Sequence, residues 1–199
     1  MTNEYFKALK DRHTYYYLGK SDDVSEARIE EIVEQVMVNA PSSFNSQSER
    51  VLLLFGEQSD ALWDLTLDTL REITPPEAFG NTEKKIAGIK GGIGTILFFE
   101  ETKIVEGLQE KFPLYSESFP VWSIQSTAML QFAIWLALDM EGLGASLHHY
   151  NPIIDDAVKA RWNLPASWMH TGQMPFGTIL VEPDPKVKAP VSERLTVYK

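Results

Sequence analysis

Apolar positions along this chain recur at two periods, and the changes between them mark out the elements. Asn3 to Asp11 reads as a short helix. Asp23-Val24-Ser25-Glu26 has capping-box spacing, and Ile29, Ile32, Val33, Val36, Met37 and Ala40 follow at helical intervals until Pro41 stops them. Arg50 to Phe55, an apolar run closed by Gly56, predicts a buried strand. Ser59 is placed to cap a helix reaching Ile73, ahead of Pro75-Pro76. Gly94 to Phe99 predicts a second strand, Thr102 to Lys111 a helix, and Ser118 to Glu141 a long central helix ended by Gly142-Leu143-Gly144. A third strand is expected from Ala145 to Tyr150, a helix opened by Pro152 and reaching Trp162, and a fourth strand from Gly177 to Glu182. Pro183, Pro185 and Pro190 then lead to a last short strand, Arg194 to Tyr198. Long helices interleaved with few strands indicate an α+β fold. With no repeat, no low-complexity tract and no linker, residues 1–199 read as one domain.

The central helix changes the picture most. From Ser118 to Leu138 it carries no formal charge, which reaches the length of a membrane span. Ser123, Thr127 and Gln131, however, recur at i, i+4 and i+8 as a polar stripe. Such a stripe is costly in lipid and suits a helix at a protein–protein or cofactor contact, so no membrane insertion is expected.

Composition narrows the chemistry. The 199 residues are 44% hydrophobic and 23% charged, as in soluble globular proteins. No cysteine is present, which excludes disulfides, thiolate nucleophiles, iron–sulfur clusters and cysteine-ligated zinc, and suits a reducing cytoplasm. The first residues are charged and lack an apolar run, so no secretory leader is expected. Lys and Arg number 18 against 28 Asp and Glu, a net charge of −10. That balance disfavours nucleic acid, and an anionic ligand must find a local positive pocket.

Two suggestive motifs carry little. Gly88 to Gly94 is glycine-rich but lies between a helix and a following strand, the reverse of a phosphate loop, and reads as a turn. His148 and His149 are adjacent on a predicted strand and point to opposite faces, and no acidic companion stands at ligand spacing, so no metal is expected. No Gly-x-Ser-x-Gly elbow offers a hydrolytic nucleophile. Arg12-His13-Thr14, by contrast, offers a planar fork and a hydroxyl to a phosphate. It gains weight beside the polar loop Ser42 to Gln47, the stretch His148-His149-Tyr150-Asn151 and the tail holding Lys186, Lys188 and Arg194.

This order of parts resembles the FMN-dependent nitroreductase family over nearly the whole chain. Arg12-His13-Thr14 is similar to the family's Arg-Arg-Ser phosphate motif. Ala40-Pro41-Ser42-Ser43-Phe44-Asn45-Ser46-Gln47 is similar to its flavin loop, and Glu141-Gly142-Leu143-Gly144, Gly177 and the late Arg194 complete the pattern. The closest likeness is to the short-chain branch, which includes a copper-induced bacterial nitroreductase and fungal nitroreductase-like proteins linked to fatty-acid regulation. Where many members carry a second basic residue in the first motif, this chain has Tyr15-Tyr16-Tyr17, with Lys20 or Lys188 as candidate helpers. It also lacks the Pro-x-Glu-Gly flavin loop of other branches, and His149-Tyr150-Asn151 stands in that region.

The resemblance implies an α+β sandwich with a mostly antiparallel sheet, forming an intertwined homodimer whose tails, about residues 183–199, reach the partner. It implies FMN, with Arg12, His13, Thr14 and Arg194 toward the phosphate, Ser43, Asn45 and Gln47 toward the ring or ribityl chain, and His149 and Tyr150 beside the ring. Phe44, Trp122 and Tyr150 are candidate walls. The implied activity is ping-pong hydride transfer from NADH or NADPH, through flavin N5, to nitroaromatic or quinone acceptors, with no catalytic side chain required. The resemblance also leaves open a flavin-bound regulatory or sequestering protein, and specialised flavin chemistry such as reductive dehalogenation or flavin cleavage.

Overall fold

The computed structural model describes residues 4–20 and 23–199. Asn3, where the first predicted helix begins, lies outside them. A five-stranded sheet in the order β1-β5-β3-β2, with β4 also on β5, forms the middle layer, and every strand pair is antiparallel. The strands are β1 (Leu18–Gly19), β2 (Glu49–Phe55), β3 (Gly94–Glu101), β4 (Gly144–Ala145) and β5 (Trp168–Ile179). The helices are α1 (Glu4–Asp11), α2 (Glu26–Asn39), α3 (Gly56–Ile73), α4 (Pro76–Lys90), α5 (Thr102–Lys111), α6 (Phe119–Met140) and α7 (Asp155–Trp162).

Alternation along β3 builds both cores. Ile96 and Phe98 face Ile29, Ile32 and Val33 of α2 and Leu130, Ile134 and Leu138 of α6. Leu97 and Phe99 face Leu62 and Trp63 of α3, Ile86 and Ile89 of α4, and Val158 of α7. All four of these β3 side chains are fully buried, so the sheet is covered on both sides and the fold is an α+β sandwich.

Helix α6 is long and apolar enough to cross a membrane, with a mean hydropathy of 1.3 over its best window. It lies instead against α2 and the sheet, with Ser123, Ser126, Thr127 and Gln131 buried beside Leu130, Ile134 and Leu138, while Val121, Ile124, Met129 and Phe132 are exposed. The predicted polar stripe is therefore part of its inner face.

Several boundaries differ from the sequence pattern. Helix α2 is capped by Ser25, whose Oγ accepts from the Arg28 N–H at 3.2 Å, two residues later than the Asp23 box predicts. Helix α3 starts at Gly56, and Ser59 is a buried partner of Thr95 at 2.8 Å. The expected strand Ala145 to Tyr150 shortens to Gly144–Ala145 plus a single bridge at His148. After Pro152 a turn intervenes before α7. Strand β5 begins at Trp168 and ends at Ile179, so the predicted Gly177 to Glu182 strand catches only its end. The glycine run is a tight turn after α4: a Cβ on Gly92 would stand 2.5 Å from the Phe176 carbonyl oxygen. The tail forms no Arg194 to Tyr198 strand. With its prolines and without a strand neighbour, it holds a 3₁₀ turn, Val191–Glu193, and is exposed.

Candidate active site

Three pieces of chain carry the predicted site residues. The first leaves α1 and runs along the sheet edge, where the Tyr15 N–H donates to the Ala145 carbonyl at 3.1 Å and Thr14 bridges Ala145. This pins Arg12 against α6, with its guanidinium 4.3 Å from the centre of the Trp135 ring. The Arg12 Nε is buried without a hydrogen-bond acceptor, and Arg12 forms no ion pair among the described residues. A buried donor of this kind is costly unless something fills its place. Arg12, His13 and Thr14 line a cavity of about 470 Å³ together with Lys10, Lys186 and Lys188. Glu182 and Asp184 also border it, but cations outnumber them. A second cavity, about 460 Å³, holds Glu4, Asp11 and Asp139. Lys7 is its single cation against these three carboxyl groups, which disfavours an anion there, while burial, and then the Asp11 charge, push the Asp139 carboxyl above its usual range.

The same segment continues into an aromatic surface. Tyr16 lies 5.9 Å from the His148 ring, and His148 stacks on Tyr150 at 5.7 Å and 14°. The Lys85 Nζ, from α4, sits 5.6 Å from the Tyr16 ring and 5.7 Å from the Tyr150 ring. Tyr16, Tyr17, Asn81, Lys84 and Lys85 line an opening of about 400 Å³. Burial, then Lys85 and His149, push His148 down to about 3, so it is neutral, and its Nε2 is 2.9 Å from the Ser146 hydroxyl. Burial, and then Tyr16, push the Tyr150 phenol up. His149 is exposed.

The third piece is the loop after α2. Phe44, Asn45 and Gln47 adopt φ values of 57°, 52° and 48°, which makes three of the four non-glycine positive-φ residues among those described. Side chains are rarely held this way unless the surroundings enforce it, and such clusters mark functional loops. The enforcing contacts are the Ser43 N–H to Ser126 Oγ at 3.1 Å and the Gln47 N–H to Ser42 Oγ at 3.0 Å. Phe44 stacks on Trp122 at 6.0 Å and 15° and touches Phe112 and Phe119, both at 5.1 Å. Below the loop, the buried Glu100 carboxyl accepts from the Thr127 hydroxyl at Oε1, its Oε2 is buried without a partner, and burial pushes it above the usual carboxyl range.

The structure thus brings Arg12, His13 and Thr14 together and sets the Tyr16 and Tyr150 rings around the Lys85 ammonium, with Tyr16 and Lys85 lining a second opening. It leaves Ser43, Asn45 and Gln47 out of both spaces. Their anchor Ser126 is nine residues from Trp135, about 14 Å along α6. Arg194 is exposed and donates to the Ala189 carbonyl within the tail at 3.2 Å, apart from Arg12. Lys20 faces Asp60 at 3.8 Å, whereas Lys188 does line the Arg12 cavity. Lys186, named in the tail from the sequence, lines the Arg12 cavity as well, whereas Lys85 was not anticipated. The only hint was a Lys84-Lys85 pair in an acidic chain.

The Nitroreductase family model matches residues 9–178. The chain belongs to the nitroreductase family. It is 31% identical to the Saccharomyces cerevisiae nitroreductase-family protein HBN1 over 185 residues, covering 92% of this chain and 91% of that one. Among solved structures, the nitroreductase CinD from Lactococcus lactis, in complex with chloramphenicol, is similar with a TM-score of 0.89 at 39% identity, covering 98% of this chain and 100% of that one. A nitroreductase from Desulfitobacterium hafniense with bound FMN shares the fold, with a TM-score of 0.74 at 14% identity and full coverage of both chains. The expected α+β nitroreductase sandwich and the family assignment hold.

Proposed function

We propose that this chain is a single-domain FMN-dependent oxidoreductase, taking hydride from NADH or NADPH and passing it to nitroaromatic or quinone acceptors. One observation carries the reading: a buried Arg12 Nε–H without an acceptor, in a cation-lined cavity two residues along the chain from Tyr16, whose ring faces Lys85. The residues fit FMN. Arg12, the Thr14 hydroxyl, Lys186 and Lys188 would hold the phosphate, and Tyr16, Lys85, His149 and Tyr150 would hold the ring. FMN, when bound, supplies the two-electron chemistry. Lys85 adds a cation where electron density is to be held, and the neutral His148, engaged by Ser146, shapes the surface without acting as an acid. No side chain is asked to serve as nucleophile.

The working unit in this reading is a homodimer. The exposed Val121, Ile124, Met129 and Phe132 give α6 an apolar outer face suited to a second copy. A partner would also bring its own Ser43, Asn45 and Gln47 to a ring that the loop of the same chain does not reach. Arg194 joins the phosphate site by the same route, carried on the exposed end of the tail. Nitroaromatic acceptors draw support from CinD, which is solved with chloramphenicol and also with 4-nitrophenol. Initial rates with NADPH and menadione test the cycle. Parallel double-reciprocal lines are expected, because donor and acceptor use one space in turn, and intersecting lines would contradict it.

A further inference from the structure

We propose that His170, held by Asp155 as a neutral imidazole protonated on Nδ1, is a positioning residue that sets the His148–Asn151 segment through the side-chain amide of Gln173. A closed chain of hydrogen bonds stands behind that segment, and none of it belongs to the cavities described above. The Tyr150 N–H lies 2.9 Å from Gln173 Oε1. Gln173 Nε2 lies 2.9 Å from His170 Nε2 and 3.3 Å from Asn151 Oδ1. His170 Nδ1 lies 2.9 Å from Asp155 Oδ1, and Asn151 Nδ2 lies 3.2 Å from the His170 carbonyl oxygen. The rings and amides are shut away from water: Gln173 is fully buried and His170 is 4% exposed.

Proton positions follow from one group whose role cannot change. A backbone N–H only donates, so the Gln173 atom facing Tyr150 is the oxygen. The Gln173 nitrogen then faces both His170 Nε2 and Asn151 Oδ1, and its two hydrogens serve the two acceptors. His170 Nε2 must therefore carry a lone pair, which leaves the ring proton on Nδ1, donated to Asp155. Asn151, accepting through Oδ1, donates through Nδ2 to the His170 carbonyl. Every donor in the chain meets an acceptor, and no other assignment does this without opposing two donors.

The arrangement is conditional on His170 staying neutral. A second proton would place an Nε2–H against the Gln173 NH₂ at 2.9 Å. The amide would then have to turn, presenting NH₂ to the Tyr150 N–H, and the segment would lose its tether. The charged groups facing the ring are Asp155 and Lys159, both from α7, and β3 offers the Phe99 ring, stacked at 4.7 Å and 24°. Burial outweighs Asp155 and holds His170 below the usual histidine range. The catalytic consequence rests on the FMN reading, since the segment that Gln173 tethers carries His149 and Tyr150. The hydrogen-bond assignment does not rest on it.

Long-range ¹H–¹⁵N spectra of the histidine rings in the full-length protein test the assignment. We expect His170 to show a single proton, on Nδ1, from pH 7.5 to 6. A proton on Nε2, or an ordinary titration centred near 6.5, overturns the proposal. In Gln173→Glu, one carboxylate oxygen still accepts from Tyr150 and the other replaces the amide donor, so His170 should become doubly protonated at pH 7. A His170 ring still singly protonated in that variant also overturns it. The functional arm follows the rate of flavin reduction by NADPH against pH. Wild type should lose roughly tenfold, the size of one lost hydrogen bond, on an acidic limb that tracks His170 protonation. His170→Phe should start about tenfold lower and lack that limb. A limb retained in His170→Phe contradicts the positioning role. A wild-type protein that binds no FMN would instead refute the cofactor reading and leave the ring spectra to decide His170.

Discussion

The Thr127 hydroxyl donates to the buried carboxyl of Glu100, tying the middle of α6 to the end of β3. Ser48, just past the strained loop, lies next to this carboxyl and pairs with the Ser46 hydroxyl at 3.2 Å, while Glu100 Oε2 is buried without a partner. Folded Glu100 keeps its proton more tightly than the unfolded chain does. Its contribution to stability is complete below the ordinary value of 4.5 and declines as pH rises through the raised folded value.

Glu100→Gln should therefore fold as well as wild type and lose this alkaline decline, because an amide offers the same neutral partners. Glu100→Ala leaves the Thr127 hydroxyl without its partner and should cost roughly 1–3 kcal/mol. Urea unfolding of the three proteins between pH 5 and 8 reads both effects.

His148 gives the opposite slope. Unfolded, it takes a proton near 6.5, whereas the folded ring resists one down to about 3. Stability is complete above 6.5 and should fall on acidification, by up to about 1.4 kcal/mol per pH unit for one such histidine. His148→Gln should flatten the urea midpoint against pH between 6.5 and 4 relative to wild type. An unchanged slope would show that the ring titrates normally.

The phosphate grip is tested by comparing two flavins. Arg12→Ala should weaken FMN by roughly ten- to a hundredfold, the range for a lost charge-assisted bond, and riboflavin far less. Arg194→Ala should show the same preference only where protomers associate. Equal losses for both flavins would mean that Arg12 serves the fold and touches no phosphate. Fluorescence quenching titrations supply both numbers.

The loop should separate stability from function. Gln47→Gly relieves a positive φ and should hold or raise the melting temperature, by at most a few degrees. Asn45→Ala and Gln47→Ala should alter flavin affinity or reduction rate more than folding. Phe132→Asp, on the exposed face of α6, should give monomers by sedimentation and lose FMN affinity with them.

What the sequence made legible follows physical strength. The α2 and α6 periodicities and the strand Gly94 to Phe99 were clear because burial is one-sided or continuous there. Strand β5 was hidden: Gly172, Pro175 and Gly177 interrupt it, and His170 and Gln173 put polar groups in a central strand. Pro175 is tolerated because its polar backbone faces away from β3, toward the Ser146 N–H, which needs only its carbonyl, at 3.3 Å. Arg12-His13-Thr14 was readable as a local motif. Lys85 was not, since only the fold brings α4 to Tyr16 and Tyr150. The tail strand was misjudged because Arg194 to Tyr198 alternates suitably but finds no strand beside it within one chain.

The anaerobic visible spectrum of the purified, FMN-titrated protein tests the central claim most directly. The account predicts saturation at about one FMN per chain, followed by bleaching of the flavin bands on adding NADPH or NADH and their return on adding 4-nitrophenol or a quinone. A protein that takes up no FMN, or a yellow protein that neither nicotinamide bleaches, would contradict it.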